Sequence, residues 1–522
     1  MIGLSIQKRW LKLSGYGALW LTAATLLTKL IGVLQKIPLQ NLAGDAVFGI
    51  YNVVYPIYQL MMALAIAGIP TALATYIALL RPDERQRTFQ AALYMSGAAA
   101  LLLAIAAYWS APLIGRWIGH EEIVSSLRVL AAALLFTPIV AVYRGYYQGI
   151  EDARSSSWSQ LLEQLVRVAC MVLALMFGLA QHWSEGVLAA AVMWGSAVGA
   201  IAALFWLWLR KPKAAAKTDY PFMQIVAESR RLFTMALPAA LAAIVVPIVA
   251  VVDAFSIPRL LETAGMQASD VMAQYGIYSR IQPLIQLVSM ILAALAAGFL
   301  PRWIKQNQDQ REKVLLGKRL LLLHRLAWMA GCGAAVGLYM LAEPINMMLY
   351  KDAVGIETFR WLSLSTLMSC VLAMQAPLLQ GAGLSRLPIW LLIIAAGGKA
   401  VLNSWLVPIY GITGAAIAAN LSLLVPASIG AVALYAVVKR NLKGPEKTSN
   451  FLLLRSIVPS VFAGGVMALA LYILELIWLQ ADMGRMEMTL YTLIAVLVGA
   501  LVYSLTVWTV RGVTKQELTW LG

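Results

Sequence analysis

The sequence predicts an all-α polytopic membrane protein: fourteen transmembrane helices, arranged as two pseudo-symmetric six-helix lobes plus two additional helices. Three observations predict it. The 522 residues are 61% hydrophobic and only 12% charged; a soluble domain carries about 25% charged residues, so this chain cannot clothe a soluble globule of its size. The apolar residues fall in long blocks, not in the short alternating strands of an outer-membrane barrel. A pattern of rare residues also recurs at a fixed offset in the two halves of the chain.

A spanning helix needs about 20 mostly apolar residues. Blocks that meet this rule run in chain order at about 15–39, 46–80, 90–109, 123–146, 158–180, 186–209, 232–256, 273–299, 319–342, 358–381, 388–407, 412–438, 452–476 and 488–510. The first two are separated only by Asn41-Leu42-Ala43-Gly44-Asp45. The first follows the basic residues Lys8, Arg9 and Lys12. It shows no clear small-residue cleavage site and is too long for a signal peptide, so it reads as a span.

An even number of spans puts both termini on one side. Of the 40 Lys and Arg residues, about 28 then fall in loops on the side of the N-terminus. Arg116, Arg259, Lys351, Arg360 and Arg485 fall on the other side, and the remainder lie within spans. The positive-inside rule therefore places both termini in the cytoplasm. It also accounts for the net charge of +16 without nucleic acid. The basic loop after span six divides the chain. Residues 1–210 form an N-terminal six-helix lobe, 211–231 a cytoplasmic linker, 232–440 a C-terminal six-helix lobe, and 441–522 the two additional helices with the C-terminal tail.

The repeat supports this division. Gly49-Ile50-Tyr51, Pro56 and Gln59-Leu60 of span two recur as Gly276-Ile277-Tyr278, Pro283 and Gln286-Leu287 of span eight, all at one constant offset. Arg128, Gln148-Gly149, Arg154 and Arg167 recur as Arg360, Gln380-Gly381, Arg386 and Lys399, again at a single offset, slightly larger than the first. One short insertion accounts for the drift. A six-span repeat keeps its orientation, so the copies are expected to be related by an axis along the membrane normal, with a cavity between them. Spans thirteen and fourteen lie outside the duplication.

Enzymatic signatures are absent. Cys170, Cys332 and Cys370 form no CxxC pair, and His120, His182 and His324 lie far apart, so no metal site is expected. Gly397-Gly398-Lys399 lacks the upstream glycine of a nucleotide-binding loop.

Several motifs stand out: Ala67-Gly68-Ile69-Pro70, Tyr143-Arg144-Gly145-Tyr146-Tyr147-Gln148-Gly149, Ser159-Gln160, Glu163-Gln164 with Arg167, and Lys399 through Asn403 followed by Gly414-Ala415-Ala416. Together they resemble the stage V sporulation protein B group of the multidrug/oligosaccharidyl-lipid/polysaccharide exporter superfamily, whose relatives include MurJ-type lipid II flippases. The resemblance covers nearly the whole chain. One departure stands out: the Ser-Lys pair that usually follows the first motif is replaced by Ala74-Thr75-Tyr76. The resemblance implies a transporter and not an enzyme. It also implies Arg144 and Gln148 as cavity residues.

A charge at the bilayer centre costs about 2.5–3.5 kcal/mol even on the lenient scale, so intramembrane charges mark cavities, partners or helix ends. Lys29 and Lys36 lie on one helical face, two turns apart, and two such cations suit a diphosphate. Glu163 and Arg167 form an i,i+4 pair, which reads either as a lock between spans four and five or as a gate that breaks on substrate binding. Asp253 is a candidate for a proton, a sodium ion or a pairing with Arg280. Arg280 and Lys399 are the cavity cations of the second lobe, while His324 and Arg325 are expected at the membrane interface. Prolines within spans, among them Pro56, Pro70, Pro238, Pro247 and Pro283, are candidate hinges.

The implied function is alternating-access movement of a lipid-linked cell-wall precursor, lipid II or another undecaprenyl-diphosphate-linked saccharide, across a bacterial cell membrane. No cofactor is needed beyond coupling to the membrane potential, H⁺ or Na⁺. The expected partners are the saccharide lipid, membrane lipids and cell-wall synthesis proteins. Two readings stay open beside it: a cation-coupled multidrug exporter of the same superfamily, and a non-transporting scaffold for wall synthesis.

Overall fold

The computed structural model describes residues 20–21, 23–66, 68–210, 221–305, 310–441, 451–478, 484–510, 512 and 517. The basic N-terminal residues Lys8, Arg9 and Lys12, Ala67 of the first motif, residues 211–220 of the 211–231 linker and most of the C-terminal tail lie outside the described residues. The described residues are helical, without strands. After a helical stretch over 23–34, the helices are α1 Lys36–Ile66, α2 Ile69–Leu79, α3 Pro82–Ile118, α4 Ile123–Gly149, α5 Ala153–Ala180, α6 Glu185–Leu209, α7 Phe222–Thr263 and α8 Ala268–Ser279. There follow α9 Gln282–Lys305, α10 Gln310–Met340, α11 Ala342–Tyr350, α12 Ile356–Gly381, α13 Leu387–Asn441, α14 Phe451–Trp478 and α15 Arg485–Thr509.

Eleven runs of the described residues are long and apolar enough to cross a membrane. Two of them, Ala23–Leu79 with 57 residues and Leu387–Arg440 with 54, are each long enough for two crossings at about 1.5 Å per residue. Each contains a non-helical glycine, Gly44 or Gly411. Helix α7 adds a further 42 residues.

The helices are more broken than the apolar blocks suggest. The block expected at 46–80 divides at Gly68, which adopts φ 85° and caps α2, with proline in the first turn of that helix. Only glycine takes this left-handed conformation at little cost, and proline is tolerated at a helix start because its missing N–H has no partner there. The block at 273–299 divides at Arg280 and Ile281, just before Pro283. The ninth block ends at Met340, and a separate short helix, α11, follows it.

The chain forms two compact units, Met1–Glu262 with Gln267–Gly276, and Thr263–Met266 with Ile277–Gly522. In the first unit α4 is central and packs on α1, α2, α3 and α6. In the second unit α12 has the same role and packs on α9, α10 and α13. These two helices carry spans four and ten, which the repeat pairs. Buried side chains such as Leu323, Val371, Met374 and Leu378 fill the interior around α12. Lipid tails are as apolar as leucine, so such contacts stabilise through close packing more than through exclusion of water.

The paired glycines of the repeat meet in the first unit. A Cβ on Gly49 would overlap the Met272 carbonyl oxygen, and a Cβ on Gly276 would overlap the Asp45 carbonyl oxygen. Asp45 and Met272 are separated by the same offset as the two glycines. The crossing of α1 and α8 is thus locally two-fold symmetric, with each repeat copy supplying the same glycine against the same carbonyl.

In the second unit α14 and α15 pack on each other and on α10. The Tyr503 hydroxyl donates to the Met329 carbonyl at 2.7 Å, and Cys332 Sγ donates to the Ser460 carbonyl at 3.2 Å. His324 and Arg325, expected at the membrane interface, are buried within the protein. Arg325 pairs with Glu517 at 2.7 Å and also donates to the Gly512 carbonyl. This carboxylate, close to the C-terminus, makes burial of the guanidinium tolerable.

Candidate functional site

The motif from Arg144 to Gly149 forms the last turns of α4, and helical spacing gives each of its faces a separate contact. Gly145 and Gly149 face α2. Their Cβ positions would lie 2.8 Å from Pro70 Cα and 2.7 Å from Ile77 Cβ, respectively, so α2 approaches only because both residues lack side chains. Tyr146 packs with Phe89, Leu73 and Ile77. Tyr147 reaches α6, where its hydroxyl donates to the Leu207 carbonyl at 3.1 Å. Arg144 and Gln148, one helical turn apart and hence on one face, point at α5.

Helix α5 answers with polar residues at matching spacing. Its start is capped by Asp152, which accepts from the Ser155 backbone N–H at 3.1 Å. Gln148 Nε2 donates to Ser156 Oγ at 2.9 Å. Arg144 Nε donates to Ser159 Oγ at 2.8 Å, and its Nη2 donates to Glu163 Oε2 at 2.7 Å. The other oxygen of Glu163 accepts from Arg167 Nη2 at 2.8 Å. One carboxylate therefore bridges two guanidinium groups, and the three side chains are only 11–15% exposed.

The network extends to the first helices. Arg167 Nη1 donates to Gln164 Oε1 at 3.3 Å, Gln164 Nε2 to Gln35 Oε1 at 3.1 Å, and Gln35 Nε2 to the Tyr51 hydroxyl at 3.3 Å. Next to Gln35, Lys36 Nζ donates to Asn52 Oδ1 at 3.0 Å and lies 6.0 Å from the Tyr55 ring centroid. Tyr51 and Tyr55 stack, with centroids 5.3 Å apart. Lys29 is exposed on the helical stretch before Gln35. Arg144, Arg167 and Lys36 against Glu163 leave a cluster with two positive charges in excess. Asp253 is buried in α7.

The second unit holds the other two expected cations. Arg280 sits in the break between α8 and α9 and is 1% exposed. Its Nη1 and Nη2 donate to the two oxygens of Asp352 at 2.6 and 3.0 Å, and its guanidinium lies 5.3 Å from the Tyr350 ring centroid. Asp352 lies in the segment between α11 and α12. Partial burial works against its charge, but hydrogen bonds from Arg280 and the Val354 N–H hold its carboxyl below the usual range. A depressed carboxylate adds stability at neutral pH, and that stability is lost as the pH falls through its folded-state value. Asp352→Asn is expected to destabilise the folded protein by about 2–3 kcal/mol, less than a fully buried pair would lose because Asp352 is partly exposed. Thermal unfolding of the purified variants at pH 7 checks this; an unchanged midpoint would contradict the pairing.

Lys399 is 2% exposed and donates to the Tyr278 hydroxyl at 3.0 Å. Under the repeat, Lys399 corresponds to Arg167 and Tyr278 to Tyr51. In both units, then, the cation of the fifth repeat span is linked to the tyrosine of the Gly-Ile-Tyr triplet, directly in the second and through two glutamines in the first. The positions that would match Arg144 and Glu163 are Ala376 and Ala395, so only the first unit has the bridged arginines. Sequence reasoning missed Gln35, Asn52, the stacked tyrosines and Asp352. No group of residues suited to a metal ion occurs among the described residues.

Long apolar helices around a buried, cation-rich hydrogen-bonded network define a multi-pass α-helical membrane protein with a polar site inside its first unit. Residues 14–308 match the family described as polysaccharide biosynthesis protein, and the chain belongs to that family. It is similar to the uncharacterized membrane protein YabM of Bacillus subtilis (strain 168), 27% identical over 99% of this chain and 95% of that protein. It is also similar to the lipid II flippase MurJ of the same organism, 22% identical over 93% of each chain. Among solved structures, the lipid II flippase MurJ in an inward closed conformation shares the fold, with a TM-score of 0.69, 15% identity and coverage of 96% of this chain and 99% of that one.

Proposed function

We propose that this protein is a flippase for a lipid-linked cell-wall precursor, lipid II or another undecaprenyl-diphosphate-linked saccharide, carried from the cytoplasmic to the outer leaflet by alternating access of two six-helix lobes. The observation that carries this reading is the pair of largely buried arginines bridged by one carboxylate, with Lys36 nearby. Charge-assisted hydrogen bonds from guanidinium groups suit phosphate oxygens. A cavity for cationic drugs would need the opposite charge balance. The likeness to a lipid II flippase over nearly the whole chain supports the same substrate class.

With both termini in the cytoplasm, the diphosphate leaves a negative interior and gains about 2.3 kcal/mol per charge per 100 mV. Asp253 and coupling to H⁺ or Na⁺ can add to this drive. The polyprenyl tail cannot enter a polar site, because each buried CH₂ favours an apolar setting by about 0.8 kcal/mol. Helices α14 and α15 present exposed Leu469, Ile473, Leu476, Leu493, Leu497 and Leu501, a surface on which the tail can travel. The test is rescue of a bacterial strain depleted of its own lipid II flippase. Expression of this chain is expected to restore growth, and restored expression without growth would count against lipid II as the cargo.

A further inference from the structure

The seat that would receive an anion between the two arginines already holds one. Glu163 takes one hydrogen bond on each oxygen, from Arg144 at 2.7 Å and from Arg167 at 2.8 Å. Two oxygens of one anion bound by two separate guanidinium groups is also the arrangement that a diphosphate oxygen pair would make. The arginines are fixed independently of the carboxylate, Arg144 by Ser159 and Arg167 by Gln164, so they need not collapse when it leaves. Arg167 Nε is buried and has no hydrogen-bond partner among the described residues, a donor left over for a larger anion. The carboxylate neutralises only one of the two guanidinium charges. The repeat shows that the feature is local: the second unit keeps the cation, as Lys399, and has alanine in place of both Arg144 and Glu163.

We propose that Glu163 is a resident counter-anion that occupies the phosphate seat of the empty site, and that a diphosphate must displace it to bind. Glu163 then offsets the repulsion between the two arginines until cargo arrives, and rejects ligands that cannot outcompete a carboxylate. The apparent affinity for cargo is lowered by the fraction of molecules in which the seat is taken. The proposal rests on the transport reading for its ligand class, a diphosphate, and the test separates the two.

The experiment measures binding of inorganic pyrophosphate and, separately, of undecaprenyl diphosphate in lipid nanodiscs to the purified full chain, for the natural protein, Glu163→Gln and Glu163→Asp. The expected result is a lower melting temperature for Glu163→Gln, which leaves largely buried cations uncompensated, together with about tenfold tighter diphosphate binding. Glu163→Asp keeps the charge on a shorter arm and is expected to fold and to bind with intermediate affinity, so it carries the test if the glutamine variant does not fold. Tightening with undecaprenyl diphosphate but not with pyrophosphate would assign the seat to the lipid headgroup, and tightening with both to any diphosphate; either supports the proposal. Equal or weaker binding by the folded variants, with the natural protein binding normally, would overturn the counter-anion role and leave the transport reading standing. Binding by none of the three would overturn both.

Discussion

Arg167→Ala is expected to abolish rescue of a flippase-depleted strain, and Arg144→Ala to do the same. Each change removes a guanidinium that donates to Glu163 at 2.8 or 2.7 Å. A hydrogen bond to a charged group contributes about 1.5–3 kcal/mol, so losing one such contact to a bound diphosphate weakens binding by roughly tenfold to 150-fold. Stability falls as well, because the remaining members of a largely buried network lose a partner. The two effects separate with lysine. Arg167→Lys keeps the charge and so most of the stability, but a point charge cannot reproduce a planar, two-pronged donor. Lysine variants are therefore expected to be made at normal levels and to transport poorly. Full rescue by Arg167→Ala would show that the network is only a scaffold between α4 and α5.

The second large effect is expected at the glycine crossing. Gly49→Ala and Gly276→Ala each place a Cβ onto a backbone carbonyl oxygen, Met272 in one case and Asp45 in the other. Backbone cannot rotate aside as a side chain does, and overpacking of this kind costs about 1–3 kcal/mol or more. The contact is two-fold symmetric, so the two variants are expected to behave alike, each lowering the melting temperature of the purified protein by several degrees. Gly97→Ala is the control. It lies within α3 with nothing within 4 Å of the new Cβ, and alanine in place of helical glycine adds about 0.5–1 kcal/mol of stability. A Gly49 variant as stable as the Gly97 variant would contradict the packed crossing.

These sites differ in how far the sequence revealed them. The Arg144–Gln148 and Glu163–Arg167 spacings were legible because i,i+4 residues share a helical face, and charges are rare in this chain. Their partners on neighbouring helices were not, since periodicity says which residues share a face but not which face meets which. Asp352 lies far along the chain from Arg280, in a short connecting segment, and Tyr278 is equally remote in sequence from Lys399; no local pattern joins either pair. The breaks at Gly68 and at Arg280 were hidden for another reason. Hydropathy measures how apolar a stretch is and is blind to whether its backbone is continuous, so 46–80 reads as one long span. The repeat compensated in part. Its constant offset marked Gly49 and Gly276 as equivalent, and the structure gives that equivalence a physical meaning at the crossing of α1 and α8.

The most direct test of the central claim is translocation by the purified full chain in lipid vesicles. A fluorescent undecaprenyl-diphosphate-linked saccharide would be loaded into one leaflet and its arrival in the other read by quenching with a membrane-impermeant reductant. The account predicts movement well above that of protein-free vesicles. The movement should quicken when the leaflet that receives the headgroup faces the positive side of an imposed potential, and Arg144→Ala should abolish it. A folded protein that leaves the lipid where it was loaded, or moves it equally well without Arg144, would contradict the account.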